Sequence, residues 1–333
     1  MKILIKFNPL RKVPLTFFSL AFFIASLVLS SCAPVPTKKF KKYAVVKVQT
    51  QEDLPKVAEH LLEDPDNDWV IREFNNVDKI KPNQTLVVPL TKFKRGGLSY
   101  NGYQTVPVLS YFQFSEKKEN NLVITRENFE SQMKYLKDNG YQVITLEKFY
   151  SFLQYKEQIP DKSVVITLED GWESVYKIAV PILQKYGYPA TLFVYSNMIS
   201  KNKSALTWEQ VKEMSGDGFD IQCQSISKRD LTLPKKKESF KKYVYAVIRE
   251  VTTPKNLLQK KLGKECQFYA YPQGKANNLV VSLIKKAGYK AAFTMEQGSN
   301  PFFANNYSLK RNIIRGTDSI SEFKKNLTYF EKY

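Results

Sequence analysis

The sequence predicts an α/β protein in which strands and helices alternate around a parallel sheet or barrel, with a small β-α-α-β module ahead of it. Three observations lead there. From about residue 104 onward, short apolar runs alternate with stretches of helical period, and no segment repeats another. Two of those runs, Val164-Val-Ile-Thr-Leu168 and Ala190-Thr-Leu-Phe-Val-Tyr195, are almost unbroken, the pattern of strands covered on both faces. The length of 333 residues fits two domains, and 43% hydrophobic residues supply a large core.

Taken in chain order, residues 1–31 read as a secretory signal. Lys2, Lys6, Arg11 and Lys12 precede the apolar run Leu15–Leu29, and Leu29-Ser-Ser-Cys32 closes it. That run is shorter than the ~20 residues a spanning helix needs. Residues 32–42, rich in Pro and Lys, read as a tether. Within 43–90, Tyr43–Val48 is strand-like, and Leu54, Val57, Ala58, Leu61 and Leu62 recur at helical spacing. Trp69, Val70, Ile71 and Phe74 suggest a second helix, and Leu86–Pro89 a closing strand.

Residues 91–103, with Lys94-Arg-Gly-Gly97, form a linker to the large domain at 104–325. There Thr125 caps a helix carrying Phe129, Met133 and Leu136 and ended by Gly140. Tyr141–Leu146 is expected as a strand, and a helix ending at Tyr186-Gly187 follows the Val164–Leu168 strand. Thr207-Trp-Glu-Gln210 is a capping-box pattern. Phe219–Cys223, Gln267–Tyr271 and Tyr289–Phe293 are further expected strands, separated by a Lys-rich helix over about 235–262 and another over Asn278–Ala287.

Composition narrows the chemistry. Lys+Arg is 51 against 32 Asp+Glu, a net charge of +19, which becomes +15 once the four basic residues of the signal are removed. A basic exported protein meets anionic envelope polymers and lipid head groups, and no nucleic-acid motif is present. The single histidine, His60, excludes a site built from two or three imidazoles. Cys32, Cys223 and Cys266 are too few for a disulfide scaffold. Strand geometry sets Cys223 and Cys266 more than about 7 Å apart, so both are expected as free buried thiols.

The ending Leu-Ser-Ser-Cys32 resembles the bacterial lipobox, which implies lipidation of Cys32 and a protein anchored to a membrane of the cell envelope. The 43–90 module, closing on Ile80-Lys-Pro-Asn-Gln-Thr-Leu-Val-Val-Pro89, resembles a LysM domain, which implies binding of N-acetylglucosamine-containing glycans such as peptidoglycan. Asn83 replaces the usual Gly before the last strand, and Gln51-Glu-Asp-Leu54 the usual Gly-Asp-Thr-Leu.

The strand ends of the large domain are Thr167-Leu-Glu-Asp-Gly171, Gln224-Ser-Ile-Ser-Lys228, Tyr271-Pro-Gln-Gly274 and Leu309-Lys-Arg311. In order and spacing they resemble the polysaccharide deacetylase (NodB-type) family, as do Val106-Pro-Val-Leu-Ser-Tyr111 and Ala287-Gly-Tyr-Lys-Ala-Ala-Phe293. The resemblance implies a NodB-type distorted (β/α) barrel that removes acetyl groups from amino-sugar polymers. It also implies a divalent metal held by one Asp and two His, a second Asp as base, and a backbone amide at a Pro-Tyr turn that holds the oxyanion.

Carried over residue by residue, Asp170 stands at the metal-binding Asp and Glu169 at the base. Gln224 and Lys228 stand at the two His positions, and Gln273 supplies the oxyanion amide. Ser110, Tyr111, Phe112, Tyr271, Pro272 and Arg311 line the pocket. A lysine ammonium has no lone pair to give a metal. No metal or other cofactor is therefore expected. Lys228 either pairs with Asp170 in the metal's place or is one solvated lysine among many on a basic surface. The expected protein is a catalytically degenerate envelope lipoprotein that binds peptidoglycan or another amino-sugar glycan. The alternative is an active deacetylase, hydrolysing acetamide C–N bonds at an atypical site that still holds a divalent metal such as zinc.

Overall fold

A computed structural model describes residues 37–332 except 51–52, 64, 78, 91–96, 100–101 and 118–119. The expected signal, Cys32 and much of the expected linker lie outside the described residues. The chain divides between residues 93 and 94 into two compact units.

The first unit runs β1 (Thr37–Lys39), β2 (Tyr43–Val48), α1 (Asp53–Leu62), α2 (Asp68–Asn75) and β3 (Gln84–Pro89). The strands form one antiparallel sheet in the order β1-β2-β3. Alternation along β2 sends Ala44, Val46 and Val48 to one face, where they pack with Leu54, Val57 and Ala58 of α1, Ile71 of α2, and Leu86 and Val88 of β3. Asn75 fastens α2 to β3, its Nδ2 donating to Val87 O at 2.7 Å and its Oδ1 accepting from Val87 N at 2.8 Å. Asn83 takes a positive φ of 64°, the conformation its glycine-like position requires. At the end of the expected tether, Thr37–Lys39 pairs with β2 as an added edge strand.

The second unit holds β4 (Gly102–Tyr111), α3 (Arg126–Asp138), α4 (Leu146–Leu153), β5 (Ser163–Asp170), α5 (Val180–Tyr186), β6 (Thr191–Tyr195), α6 (Trp208–Gly216), β7 (Asp220–Ser225), α7 (Phe240–Leu262), β8 (Phe268–Ala270), α8 (Asn278–Lys286), β9 (Ala291–Phe293) and β10 (Ser299–Pro301), with shorter strands between and after them. Strands β9-β8-β7-β6-β5-β4 lie side by side in parallel, and β10 adds antiparallel to β4. Leu309 bridges Phe293 of β9, and Asn312–Ile313 pairs in parallel with β4. This short segment draws the two ends of the curled sheet together, which gives the distorted (β/α) barrel expected from the sequence.

Every residue of β5 is buried. Val164, Ile166 and Leu168 face the helix layer with Phe129, Met133 and Leu183. Val165 faces the interior with Val106, Val108, Phe193, Phe268 and Phe293. The period of two then sends Thr167 and Glu169 into that same interior.

Local differences from the sequence reading have identifiable causes. Of Tyr141–Leu146 only Gln142–Val143 is strand, because Thr145 accepts a hydrogen bond from Lys148 N and starts α4, whose Leu146, Phe149, Phe152 and Leu153 form a buried face. Helix α7 begins at Phe240 rather than near residue 235, since Ser239 accepts from Lys242 N as its cap. Strand β7 runs to Ser225, beyond the expected Cys223. Cys223 and Cys266 are free and buried. This is the state expected of them, and the neighbouring Cys223 thiol, followed by burial, pushes the Cys266 thiol up.

Candidate active site

Parallel strands open their C-terminal ends on one edge of the sheet, and the polar residues collect there. Ser110 comes from β4, Thr167, Glu169 and Asp170 from β5, Tyr195 from β6 and Gln224 from β7.

Glu169 is sealed inside the barrel. Its Oε1 accepts from Ser110 Oγ at 3.0 Å and from Arg311 Nη1 at 2.5 Å, and Thr167 Oγ1 lies 3.0 Å away. Both ends of the Glu169–Arg311 ion pair are 0% exposed. Arg311 Nε donates to Thr294 O at 2.9 Å, and its guanidinium lies 5.5 Å from the Phe193 ring centroid. Burial pushes the Glu169 carboxyl above its ordinary value, Arg311 opposes the shift, and Asp170 adds to it. Glu169 Oε2 and Arg311 Nη2 are buried without a partner.

Asp170 leaves the strand geometry with φ 72°, and Gly171 follows at 108°. Asp170 Oδ2 accepts from Lys228 Nζ at 2.5 Å and from Trp172 Nε1 at 3.2 Å. The Lys228 ammonium sits 5.4 Å from the Trp172 ring and 5.5 Å from the Tyr195 ring, in a two-walled aromatic slot. Its side chain is 54% exposed while that of Asp170 is 5% exposed, so the pair straddles the surface.

Gln224 is buried, and its Oε1 has no partner. Gln273 takes φ 55° within the Pro272–Gly274 turn, and its Nε2 donates to Lys228 O at 3.1 Å. Gly274 is required there: a Cβ would lie 2.5 Å from Met295 N. Burial pushes the Tyr195 phenol far up, with Asp170 adding to the shift and the nearby Gln273 backbone amide opposing it.

Glu169, Asp170, Lys228, Ser110 and Arg311 thus come together, with Gln224 and Gln273 beside them. Two expected pocket residues are corrected. Tyr111 turns to the helix side, where its hydroxyl donates to Gln132 Oε1 at 2.8 Å and its ring packs on Phe129. Tyr271 also belongs to the helix-side cluster, and its hydroxyl donates to Tyr307 O at 3.1 Å. Phe112, part-buried, follows β4, and Pro272 is buried. Sequence reasoning did not single out Trp172 and Tyr195 as site residues. Trp172 directly follows the Thr167–Gly171 motif and Tyr195 ends a buried strand, which are the signals that mark them.

The donor set does not fit the divalent metal that the resemblance implies. Asp170 Oδ2 already holds an ammonium, Lys228 is a cation, and Gln224 offers one amide oxygen. Among the described residues no three His, Cys, Asp or Glu side chains converge.

Comparison with known proteins agrees with this architecture. A family model described as polysaccharide deacetylase matches residues 156–292. YxkH of Bacillus subtilis (strain 168), a candidate polysaccharide deacetylase, is 31% identical over 208 residues, which is 62% of this chain and 70% of that protein. A poly-beta-1,6-N-acetyl-D-glucosamine N-deacetylase of Staphylococcus aureus (strain MRSA252) is 28% identical over 241 residues, 71% of this chain and 80% of that protein. The solved structure of the Streptococcus pyogenes deacetylase PplD in complex with acetate superimposes with a TM-score of 0.61 at 25% identity, covering 67% of this chain and 98% of that one.

Proposed function

The chain belongs to the polysaccharide deacetylase family, and from that premise we propose that it is a catalytically degenerate member, an envelope lipoprotein lipidated at Cys32 that binds peptidoglycan or another amino-sugar glycan without hydrolysing it. The observation that supports this most is the Lys228 ammonium 2.5 Å from Asp170 Oδ2. A positive charge there neutralises the carboxylate but cannot polarise an acetyl carbonyl or acidify water as a metal does. Another part of the machinery is also diverted. Glu169 at the base position is fully buried and ion-paired, whereas a general base must reach the proton it takes. The glycan reading rests on the family, on the LysM-like module at 43–90 and on the basic charge of the exported chain. One observation favours the alternative of an active deacetylase: Gln224 Oε1 is buried without a partner, an oxygen still open to a ligand.

The test takes residues 33–333, which keep every described residue, together with an N-acetylglucosamine oligomer and added zinc, cobalt or nickel. Neither acetate release above background nor stoichiometric metal by elemental analysis is expected. About one metal per chain, the ligand ratio of a built site, together with acetate release would replace this reading by the alternative. Sedimentation with purified peptidoglycan tests the binding half.

A further inference from the structure

We propose that the β1–β2 hairpin is a membrane-docking element that seats the first unit on an anionic bilayer. Lys38, Lys39, Phe40, Lys41, Lys42 and Tyr43 are six consecutive exposed residues. The backbone holds them in a defined turn, since β1 pairs with β2 and Phe40 N donates to Tyr43 O at 2.8 Å. The Phe40 and Tyr43 rings stack with centroids 4.7 Å apart and 26° between planes, while remaining 47% and 41% exposed. Neither ring joins the apolar core of the unit. Among the described residues none of the four lysines is in an ion pair.

Two stacked aromatic rings flanked along the chain by four lysines without an ion pair match the head-group zone of a bilayer. Aromatic rings settle at that depth, lysines are drawn to acidic lipids, and their stems can lie along the acyl boundary with the charge outward. Chain length points to the same occupant. Lys38 is six residues after Cys32, a reach of at most about 21 Å of extended chain. A lipid on Cys32 therefore keeps the hairpin at the membrane surface; this step rests on the lipoprotein reading, and the chemistry of the hairpin does not. A sugar ligand fits less well, because the only side-chain acceptor among the six residues is the Tyr43 hydroxyl, and sugar hydroxyls need acceptors as well as donors.

The experiment is sedimentation of residues 33–333, which lack the acylated cysteine, with vesicles of phosphatidylglycerol and phosphatidylcholine or of phosphatidylcholine alone. The parent is expected to bind the anionic vesicles, weakly bind the neutral ones, and lose affinity as salt rises. Each Lys→Gln change at 38, 39, 41 or 42 is expected to lower affinity about fivefold. Phe40→Ser with Tyr43→Ser is expected to leave a residual, fully salt-sensitive binding. Circular dichroism checks that these exposed-site variants keep the parent fold, and the salt titration of the parent is a readout independent of any variant. Lysine variants that bind anionic vesicles like the parent overturn the proposal, as does a parent that ignores vesicle charge. Loss of peptidoglycan sedimentation with vesicle binding unchanged marks the hairpin as a glycan reader and also overturns it. Lipidation is read separately from the mass of the N-terminal peptide of the full chain. An unlipidated Cys32 with vesicle binding intact removes the lipoprotein reading and leaves the docking element standing.

Discussion

Replacing Arg311 by Met leaves a carboxylate stranded in the barrel. Glu169 and Arg311 are both 0% exposed, so solvent cannot take over when the guanidinium goes. The Met stem keeps most of the packing against Phe193, and Ser110 still donates to Glu169. The loss is thus mainly that of one partner of a buried ion pair, about 3–5 kcal/mol. The pH dependence has a definite sign. Burial already holds the folded-state pKa of Glu169 above its unfolded value. Between those two values the folded state binds more protons than the unfolded one, so stability falls as pH rises through that window. Without Arg311 the folded value rises further, and the penalty is relieved by acidification. Urea melts of parent and Arg311→Met, at about pH 7.5 and about pH 5.5, should therefore differ most at the higher pH. Glu169→Gln combined with Arg311→Met should recover part of the loss, because no charge is left buried. A single variant within about 0.5 kcal/mol of the parent, or a gap that does not narrow in acid, would refute the reasoning.

The half-exposed Lys228 should matter less to stability than Arg311. Lys228→Met leaves Asp170 with its Trp172 bond and partial access to water, so about 0.5–1.5 kcal/mol is expected in a urea melt, after discounting for solvent screening; an unchanged melt would show the pair to be incidental. Gln224→His together with Lys228→His places two imidazoles beside Asp170 and should yield about one bound zinc per chain, with a raised melting temperature in zinc. Failure to take up zinc would show that the three positions do not converge on one ion.

Much of this was legible in the chain alone, and particular residues show where legibility ended. The unbroken run Val164–Leu168 announced a strand buried on both faces. The approach of Lys228 to Asp170 was expected from the family resemblance, which sets the two positions together. Helix α4 was missed because the Thr145 cap competes with an apolar stretch short enough to read as a strand. The sides taken by Tyr111 and Tyr271 were misjudged because pocket membership depends on which face a strand residue turns, and one position changes that face.

The sequence by itself determined most of the strands and helices, the residue types at the strand ends and the absence of paired imidazoles, since these depend on local period and composition. Only the tertiary structure decided that Glu169 answers to Arg311, a residue 142 positions away. That contact exists because the Leu309–Ile313 segment lies between the first and last strands of the parallel sheet. It also decided that Trp172 and Tyr195 wall the Lys228 ammonium. Contacts of this kind are made where the sheet curls back on itself, and no periodicity along the chain encodes them.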